Sequence, residues 1–186
     1  MDQNINPLTT APQTPLAEKR LEAKNSVDHM LRGVLHHHAL LNQMADQKAN
    51  ILIGSLMVVL TIILGNSSKD AVPTYILILS IGSVVSLVFA FLSIMPRIQK
   101  QTNPNSPSFN PLFFGHFSQL SQDEYHRYMD EVMRSEESTY YVQIHNLYQL
   151  GSLLAKQKFY YLRLGYISLM VTLGIALLDF LWTLFY

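Results

Sequence analysis

The 186-residue sequence contains no cysteine, and its charges balance. Without cysteine the chain forms no disulfide and offers no thiolate for catalysis or metal binding. Its 13 basic and 13 acidic residues give a formal net charge of zero, so we expect no nucleic-acid partner and no bulk attraction to anionic lipid. Any anionic ligand must therefore be bound by a local cluster of cations.

Sequence patterns of common enzymes and nucleotide-binding domains are missing as well. We find no Gly-rich phosphate loop, no internal repeat and no strand pattern of any length. The usual β-roll cyclic-nucleotide domain is therefore excluded. No nucleophile and base occur at usable spacing, which argues against an enzyme. We accordingly predict no catalytic residue, no resident cofactor and no metal.

Charged residues make up only 14% of the chain, and they leave three apolar runs. Residues 72–95 are 24 positions without a charge, and residues 164–186 are 23 positions with one, Asp179. Both exceed the roughly 20 apolar residues that cross a bilayer core. The first run, 51–64, gives only about 21 Å of helix, so it must tilt or include part of 45–50, which we expect to pack on protein. The pattern predicts an all-α membrane protein with about three transmembrane helices.

Proline and capping signals divide the chain further. We predict a flexible tail at 1–15, a cytoplasmic helix at 16–49 and a first span at 50–65. A second span at 72–95, a cytoplasmic loop with a long helix at 96–163 and a last span at 164–186 follow. We expect the first helix to pause near 25–28. The second long helix, opened by a capping-box sequence at 121–124, should continue unbroken into the last span. These long cytoplasmic extensions should form an antiparallel hairpin or bundle, with the aromatic loop 109–117 packed against it.

The first helix passes from a polar half into an apolar half, at residue 50, without a proline or a turn pair. Such a helix can carry a change in its water-facing half into a span. His38, Asn42 and Asp46 fall on one side of it, interleaved with small and apolar residues. This polar ladder either fixes the register of another helix or contacts a ligand, with Asp46 holding a basic residue ready for a phosphate. Metal binding by the adjacent histidines is disfavoured, because consecutive helical residues point about 100° apart.

Three ordered segments closely resemble a known family, the transmembrane effectors of bacterial Pycsar antiphage systems, called PycTM. They are residues 38–51 (HALLNQMADQKANI), 110–115 (NPLFFG) and 154–163 (LAKQKFYYLR). The resemblance extends from about residue 29 to the end of the chain. It implies a multi-pass protein of the bacterial inner membrane, activated by a cyclic pyrimidine mononucleotide, cCMP or cUMP, from a partner pyrimidine cyclase. Such an effector impairs the membrane and stops the infected cell before phage matures.

A cyclic mononucleotide presents one phosphodiester charge, a base and a ribose hydroxyl. Its site needs a cation, an aromatic face and hydrogen bonds to the base edge. The candidates for ligand binding or signal coupling are His38, Asn42, Asp46, Lys48, Asn50, Phe113, Phe114, His145, Asn146, Lys156 and Arg163. Lys158 is a further cation. Lys156, Lys158 and Arg163 can instead anchor the chain at lipid headgroups, and the two phenylalanines can instead belong to a core.

Two other classes of function stay open at this stage. One is a passive membrane scaffold or transport accessory protein. The other is a metal hydrolase, whose candidate ligands are His36, His37, His38, Asp46 and Asp123. Asp179 in the last span indicates either an ion path or a place near the far headgroups. Three spans cannot enclose a sizeable channel, so a pore would require a homo-oligomer bounded by membrane lipid.

The basic residues are unevenly distributed around the three spans. Five precede the first span, one lies in the loop 66–71, seven lie between the second and third spans, and none follows. Because cytoplasmic loops carry the excess of Lys and Arg, this count predicts a cytoplasmic N-terminus, a cytoplasmic segment 96–163 and an external C-terminus.

Single cysteines in this cysteine-free chain test the predicted orientation. In intact cells, a cysteine in place of Lys69 or added after Tyr186 should react with a membrane-impermeant thiol reagent, because both positions then lie outside. Gln101→Cys should react only after the cells are opened. Labelling of Gln101→Cys in sealed cells would overturn the orientation.

Overall fold

The computed structural model describes residues 15–65, 72–96, 103 and 106–185. Its helices are α1 (Pro15–Gly65), α2 (Thr74–Ile94), α3 (Phe114–Phe117), α4 (Gln122–Val132), α5 (Glu136–Leu153) and α6 (Tyr160–Phe185), and a π-helical segment (Leu154–Phe159) joins α5 to α6. No strand occurs in these ranges, and helical stretches in α1, in α2 and in α5–α6 are long and apolar enough to cross a membrane. The predicted all-α membrane fold is confirmed. The predicted tail, up to residue 14, and the loop 66–71 lie outside the described residues.

α1 is one helix of 51 residues, about 77 Å long. The predicted continuity from its polar half into its apolar half is confirmed, but the predicted pause at 25–28 is wrong. The polar side chains near residues 25–28 contact α5, and the α1 backbone stays helical there. Asp28 accepts a hydrogen bond from the Tyr140 hydroxyl at 2.8 Å, and Lys24 pairs with Glu136 at 2.5 Å.

α1 and the α5–α6 stretch run parallel in a constant register. The contacts of Lys24 with Glu136, of Asp28 with Tyr140 and of Asp46 with Lys158 each join residues 112 positions apart. The predicted helical bundle is confirmed, whereas the antiparallel pairing of its two long helices is wrong. Both helices lead from a polar half into a span, so in a three-span chain they enter the membrane in the same direction.

The chain after Ser121 does not form the single helix that the sequence predicts. The capping box itself is confirmed, because the Glu124 N–H donates to Ser121 Oγ at 3.3 Å and the Ser121 N–H donates to Glu124 Oε2 at 2.9 Å. The Ser121 hydroxyl also donates to Glu124 Oε2 at 2.7 Å, and this bond, together with the one from the Ser121 N–H, lowers the pKa of the Glu124 carboxyl group. α4 nevertheless ends at Val132, because Ser135 caps a new helix by accepting a hydrogen bond from the Ser138 N–H at 3.1 Å.

α2 contacts both α1 and α6 through small residues. Its buried side chains are those of Ser83, Ser86, Ala90 and Ser93. The Ser86 hydroxyl donates to the Gly165 carbonyl of α6 at 2.8 Å, and Leu52 of α1 packs in the same cluster as Ala90. Small side chains allow the helix backbones to approach closely, which drives packing where lipid replaces water.

The start of the short first span packs on protein, as predicted. Ala45 and Ala49 of α1 are fully buried, and they cluster with Leu162 of α6, Ile94 at the end of α2 and Phe159. Because Ala45 lies at the level of the last residue of α2, the earlier part of α1 extends beyond α2. This junction is where the polar and apolar halves of the bundle meet.

The closest approach of α2 and α6 gives a test of this packing. A Cβ at Gly82 would overlap the side chain of Thr172, so Gly82→Ala should force the helices apart and lower the free energy of unfolding by about 1–3 kcal/mol. Thermal unfolding in detergent measures the change. The double variant Gly82→Ala/Thr172→Gly should recover much of the loss, and Gly174→Ala, which meets open space, should cost little. Equal effects of Gly82→Ala and Gly174→Ala would contradict the close crossing.

Candidate functional site

The three segments that carry the family resemblance meet beside the end of α2 and enclose a cavity. Its volume is about 370 Å³. Its polar lining consists of His38, Asn42, Ser93, Gln157 and Lys158, and its apolar lining includes Leu35, Leu92, Phe113, Phe114 and Leu154. The cavity therefore combines one cation, several hydrogen-bonding groups and two aromatic rings within one small volume.

An ion pair lies beside the cavity, and one of its two members, Lys158, lines it. The Lys158 ammonium lies 2.6 Å and 2.8 Å from the two carboxylate oxygens of Asp46. The side chains are 24% and 38% exposed, so water screens the pair only in part. Among the roles considered for Asp46, the structure shows it holding a basic residue. The pair also ties α1 to the π-helical segment.

His38 brings an unpaired polar atom to the same place. Its Nδ1 is buried and has no hydrogen-bond partner in the part of the chain that the structure describes. The ring lies against Gly151 of α5, where a Cβ would be 3.3 Å from His38 Cε1. Asn42 lies one turn further along α1 and lines the same cavity. Since buried polar atoms in folded proteins nearly always have a partner, this nitrogen calls for a water or a ligand.

The π-helical segment sets the position of Lys158. The regular helical hydrogen bonds change across Leu154–Phe159, and the Ser93 hydroxyl of α2 donates to the Lys158 carbonyl at 3.0 Å. Lys158 is thus held through its backbone by α2 and through its ammonium group by α1. Short π-helical turns inside α-helices occur frequently at functional sites. This turn joins the water-facing α5 to the apolar α6.

The aromatic loop is held on the bundle by Asn110, which is fully buried. Its side-chain amide donates to Asn146 and to Gln149 at 3.0 Å each, and its carbonyl oxygen accepts from the Leu112 N–H at 2.9 Å. The Asn110 N–H donates to Nδ1 of the buried His116 at 2.9 Å, and burial lowers the pKa of that imidazole. These bonds place Phe113 and Phe114 at the cavity.

Phe113 and Phe114 are not core residues. Phe113 is half-buried, and Phe114 is 56% exposed. Their ring centroids lie 5.0 Å apart, with the planes tilted by 50°. The pair therefore offers an accessible aromatic surface at the edge of the cavity, as the stacking interpretation requires.

The other predicted site residues lie outside this cavity. His145 and Asn146 belong to the contacts that hold the loop, since Asn146 accepts from Asn110 and His145 bonds to Gln149 at 2.8 Å. The remaining four are exposed on the helices: Lys48, Asn50, Lys156 and Arg163. Lys156 borders a separate, shallower depression on the other side of Phe113. The structure thus brings together His38, Asn42, Asp46, Phe113 and Phe114 from the predicted set.

The three adjacent histidines point in different directions. His36 and His37 are exposed, and His38 is half-buried against α5. Among the described residues, no group of three His, Cys, Asp or Glu side chains is arranged to hold a metal ion. Asp179 lies far from the cavity, next to Phe180, whose ring packs on Tyr75 at the other end of α2.

Sequence reasoning missed the contributions of Ser93 and Asn110. Ser93 lies in the second apolar run, 72–95, where nothing in the local pattern distinguishes it from the other serines. Asn110 is part of the resembling loop segment, but the two bonds that its side-chain amide donates reach residues 36 and 39 positions away. An asparagine ahead of proline and several aromatic residues was the only local sign of an anchored loop.

The comparison with known families agrees with this geometry. A family model for the Pycsar effector protein domain, PycTM, matches residues 29–186, a range that contains every residue lining the cavity. The resemblance read from the three segments is confirmed. No curated protein and no solved structure matches the chain.

Proposed function

This chain belongs to the PycTM family of Pycsar antiphage effectors, and we propose that it is a ligand-gated effector of the bacterial inner membrane. A cyclic pyrimidine mononucleotide, cCMP or cUMP, made by a partner pyrimidine cyclase, binds in the cavity. The spans then impair the membrane, and the infected cell stops before phage matures. The protein acts by binding and not by catalysis, with its N-terminus in the cytoplasm.

The observation that carries the proposal is the chemistry of the cavity. Its volume of about 370 Å³ lies at the small end of the range of ligand pockets, as a mononucleotide requires. Lys158 supplies the cation for a single phosphodiester, and Phe113 and Phe114 supply an aromatic surface for a pyrimidine ring. His38, Asn42 and Gln157 supply hydrogen-bonding groups for the base edge and the ribose hydroxyl.

The ion pair gives the ligand a means of changing the structure. Asp46 neutralises Lys158 in the ligand-free protein, so an entering phosphodiester competes with Asp46 for the same ammonium group. Exchange of partners would release α1 from the π-helical segment and leave Lys158 held by the ligand and by Ser93. A ligand shifts a conformational equilibrium only through such a difference in its contacts between the two states.

The released contact lies directly next to the spans. Asp46 is followed along α1 by the first apolar run, and Lys158 is followed by α6 within two residues. Ala49 and Leu162 belong to one buried cluster at this level, together with Ala45. A change at the ion pair therefore reaches two spans without passing through a flexible loop.

Nucleotide affinity tests the site directly. Lys158→Gln should weaken binding of cCMP or cUMP at least tenfold in detergent, because a charge-assisted hydrogen bond to the phosphate is lost. Lys156→Gln is the matched control, since it removes the same charge two residues away, and it should change affinity by less than about twofold. Isothermal titration calorimetry measures both variants. Equal affinities of Lys158→Gln and the unmodified protein would show that the nucleotide does not bind in this cavity.

Asp46→Asn extends the same experiment. It removes the competing carboxylate but keeps a side chain of the same shape, so we expect tighter nucleotide binding and leakage of protein-loaded liposomes that depends less on nucleotide. Weaker binding by this variant would mean that Asp46 positions Lys158 for the phosphate and does not compete with it.

A further inference from the structure

α1 carries a row of large apolar side chains on the side that faces away from its own bundle. We call this row the α1 stripe. Its apolar members are between 43% and 58% exposed, and they are Met30, Leu40 and Met44, with the exposed Gly33 and His37 between them. The steps of three and four residues along this row are those of a helix that packs along another helix.

The charged side chains in this part of α1 face its own bundle and not the outer side of the helix. Between residues 24 and 47 the charged side chains are those of Lys24, Asp28, Arg32 and Asp46. Three of them bind α5 or the π-helical segment, and Arg32 borders the cleft between α1 and α5. A helix whose outer side faces water normally carries its charges there. A charge-free apolar outer side is typical of a surface that a partner covers.

Lipid does not account for the α1 stripe. Ala45 packs at the level of Ile94, the last residue of α2, so the whole stripe precedes the membrane bundle. At 1.5 Å per residue, Met30 lies about 22 Å beyond Ala45 along the helix. The stripe therefore calls for a protein partner on the polar side of the membrane.

We propose that the α1 stripe binds α1 of a second copy of this chain, with the two helices side by side and parallel. Copies inserted in one membrane in one orientation have α1 at the same depth, so the α1 stripe of one copy contacts the same residues of the other copy. The exposed row also continues at heptad spacing into the span, through Ile51 and Val58. A soluble partner would match only the first half of this continuous surface.

The backbone of α1 permits this contact, and the surface is large enough for it. Gly33 and Gly54 both face open space, with no atom within 4 Å of a built Cβ, so a second helix can approach closely. From Met30 to Val58 the row is about 42 Å long and about 10 Å wide. That is on the order of 400 Å² in projection, and interdigitated side chains bury more than the projected area, toward the roughly 800 Å² per partner of stable complexes.

The inference deepens the proposed function, because a pore built from three-span chains needs several copies. Its test does not use nucleotide. Two differently tagged full-length copies, each with one introduced cysteine in a chain that has none of its own, are expressed together, and their membranes are treated with a mild oxidant. Met44→Cys and Leu40→Cys should give mixed-tag disulfide dimers at several times the yield of Gln43→Cys. Gln43 is the matched control, since it is exposed at the same depth as Met44 but points about 100° away.

A second pair of variants distinguishes dimerisation through the α1 stripe from disulfides formed by chance collisions. Met30→Glu/Leu40→Glu should lower the Met44→Cys dimer yield several-fold by placing like charges in the contact, whereas Asn25→Glu/Gln43→Glu, on another side of α1, should not. Equal yields from Met44→Cys and Gln43→Cys, or a disulfide to a different protein, would overturn the proposal. Dimers through Met44→Cys in a protein that neither binds nucleotide nor leaks would instead reject the proposed function and leave the surface standing.

Discussion

The parallel register of α1 with the α5–α6 stretch is the constraint on which the rest of the molecule depends. Both helices pass from a polar half into a span in the same direction. Three side-chain contacts between them each join residues whose numbers differ by 112. The last of these contacts, between Asp46 and Lys158, lies where the spans begin. The cavity exists because α2 ends at this level, which leaves room beside α1 for the aromatic loop and the π-helical segment.

Polar groups at this junction are satisfied by residues from distant parts of the chain. The carbonyl of Lys158 in the π-helical segment accepts its hydrogen bond from the Ser93 hydroxyl of α2. Asn110 holds the loop through α5. His38 is the exception, since its buried Nδ1 has no partner among the described residues. Unsatisfied buried groups are costly, so the cavity is the place in this bundle where a bound molecule would add most.

Features fixed by local sequence could be predicted, and features fixed by tertiary contacts could not. The capping box at Ser121 depends on neighbouring residues, and the spans depend on composition. The break before Ser135 was missed because its capping serine lies in a polar stretch that also suits a helix interior. The choice between Lys156 and Lys158 depends on the π-helical segment, and that segment depends on a hydrogen bond from Ser93, 65 positions away. The parallel pairing was implied by an odd number of spans, but the two long helices were treated as a simple hairpin.

In the mechanism that we propose, the ligand signal reaches the membrane through the unbroken helix α1. The most direct measurement is dye leakage from protein-loaded liposomes after Gly-Pro is inserted behind Asn50, where proline breaks the helix between Asp46 and the span. Nucleotide should then still bind but no longer cause leakage, whereas the same insertion behind Glu22, ahead of the first contact of α1 with α5, should leave leakage intact. Undiminished nucleotide-dependent leakage with the insertion at Asn50 would show that α1 does not carry the signal.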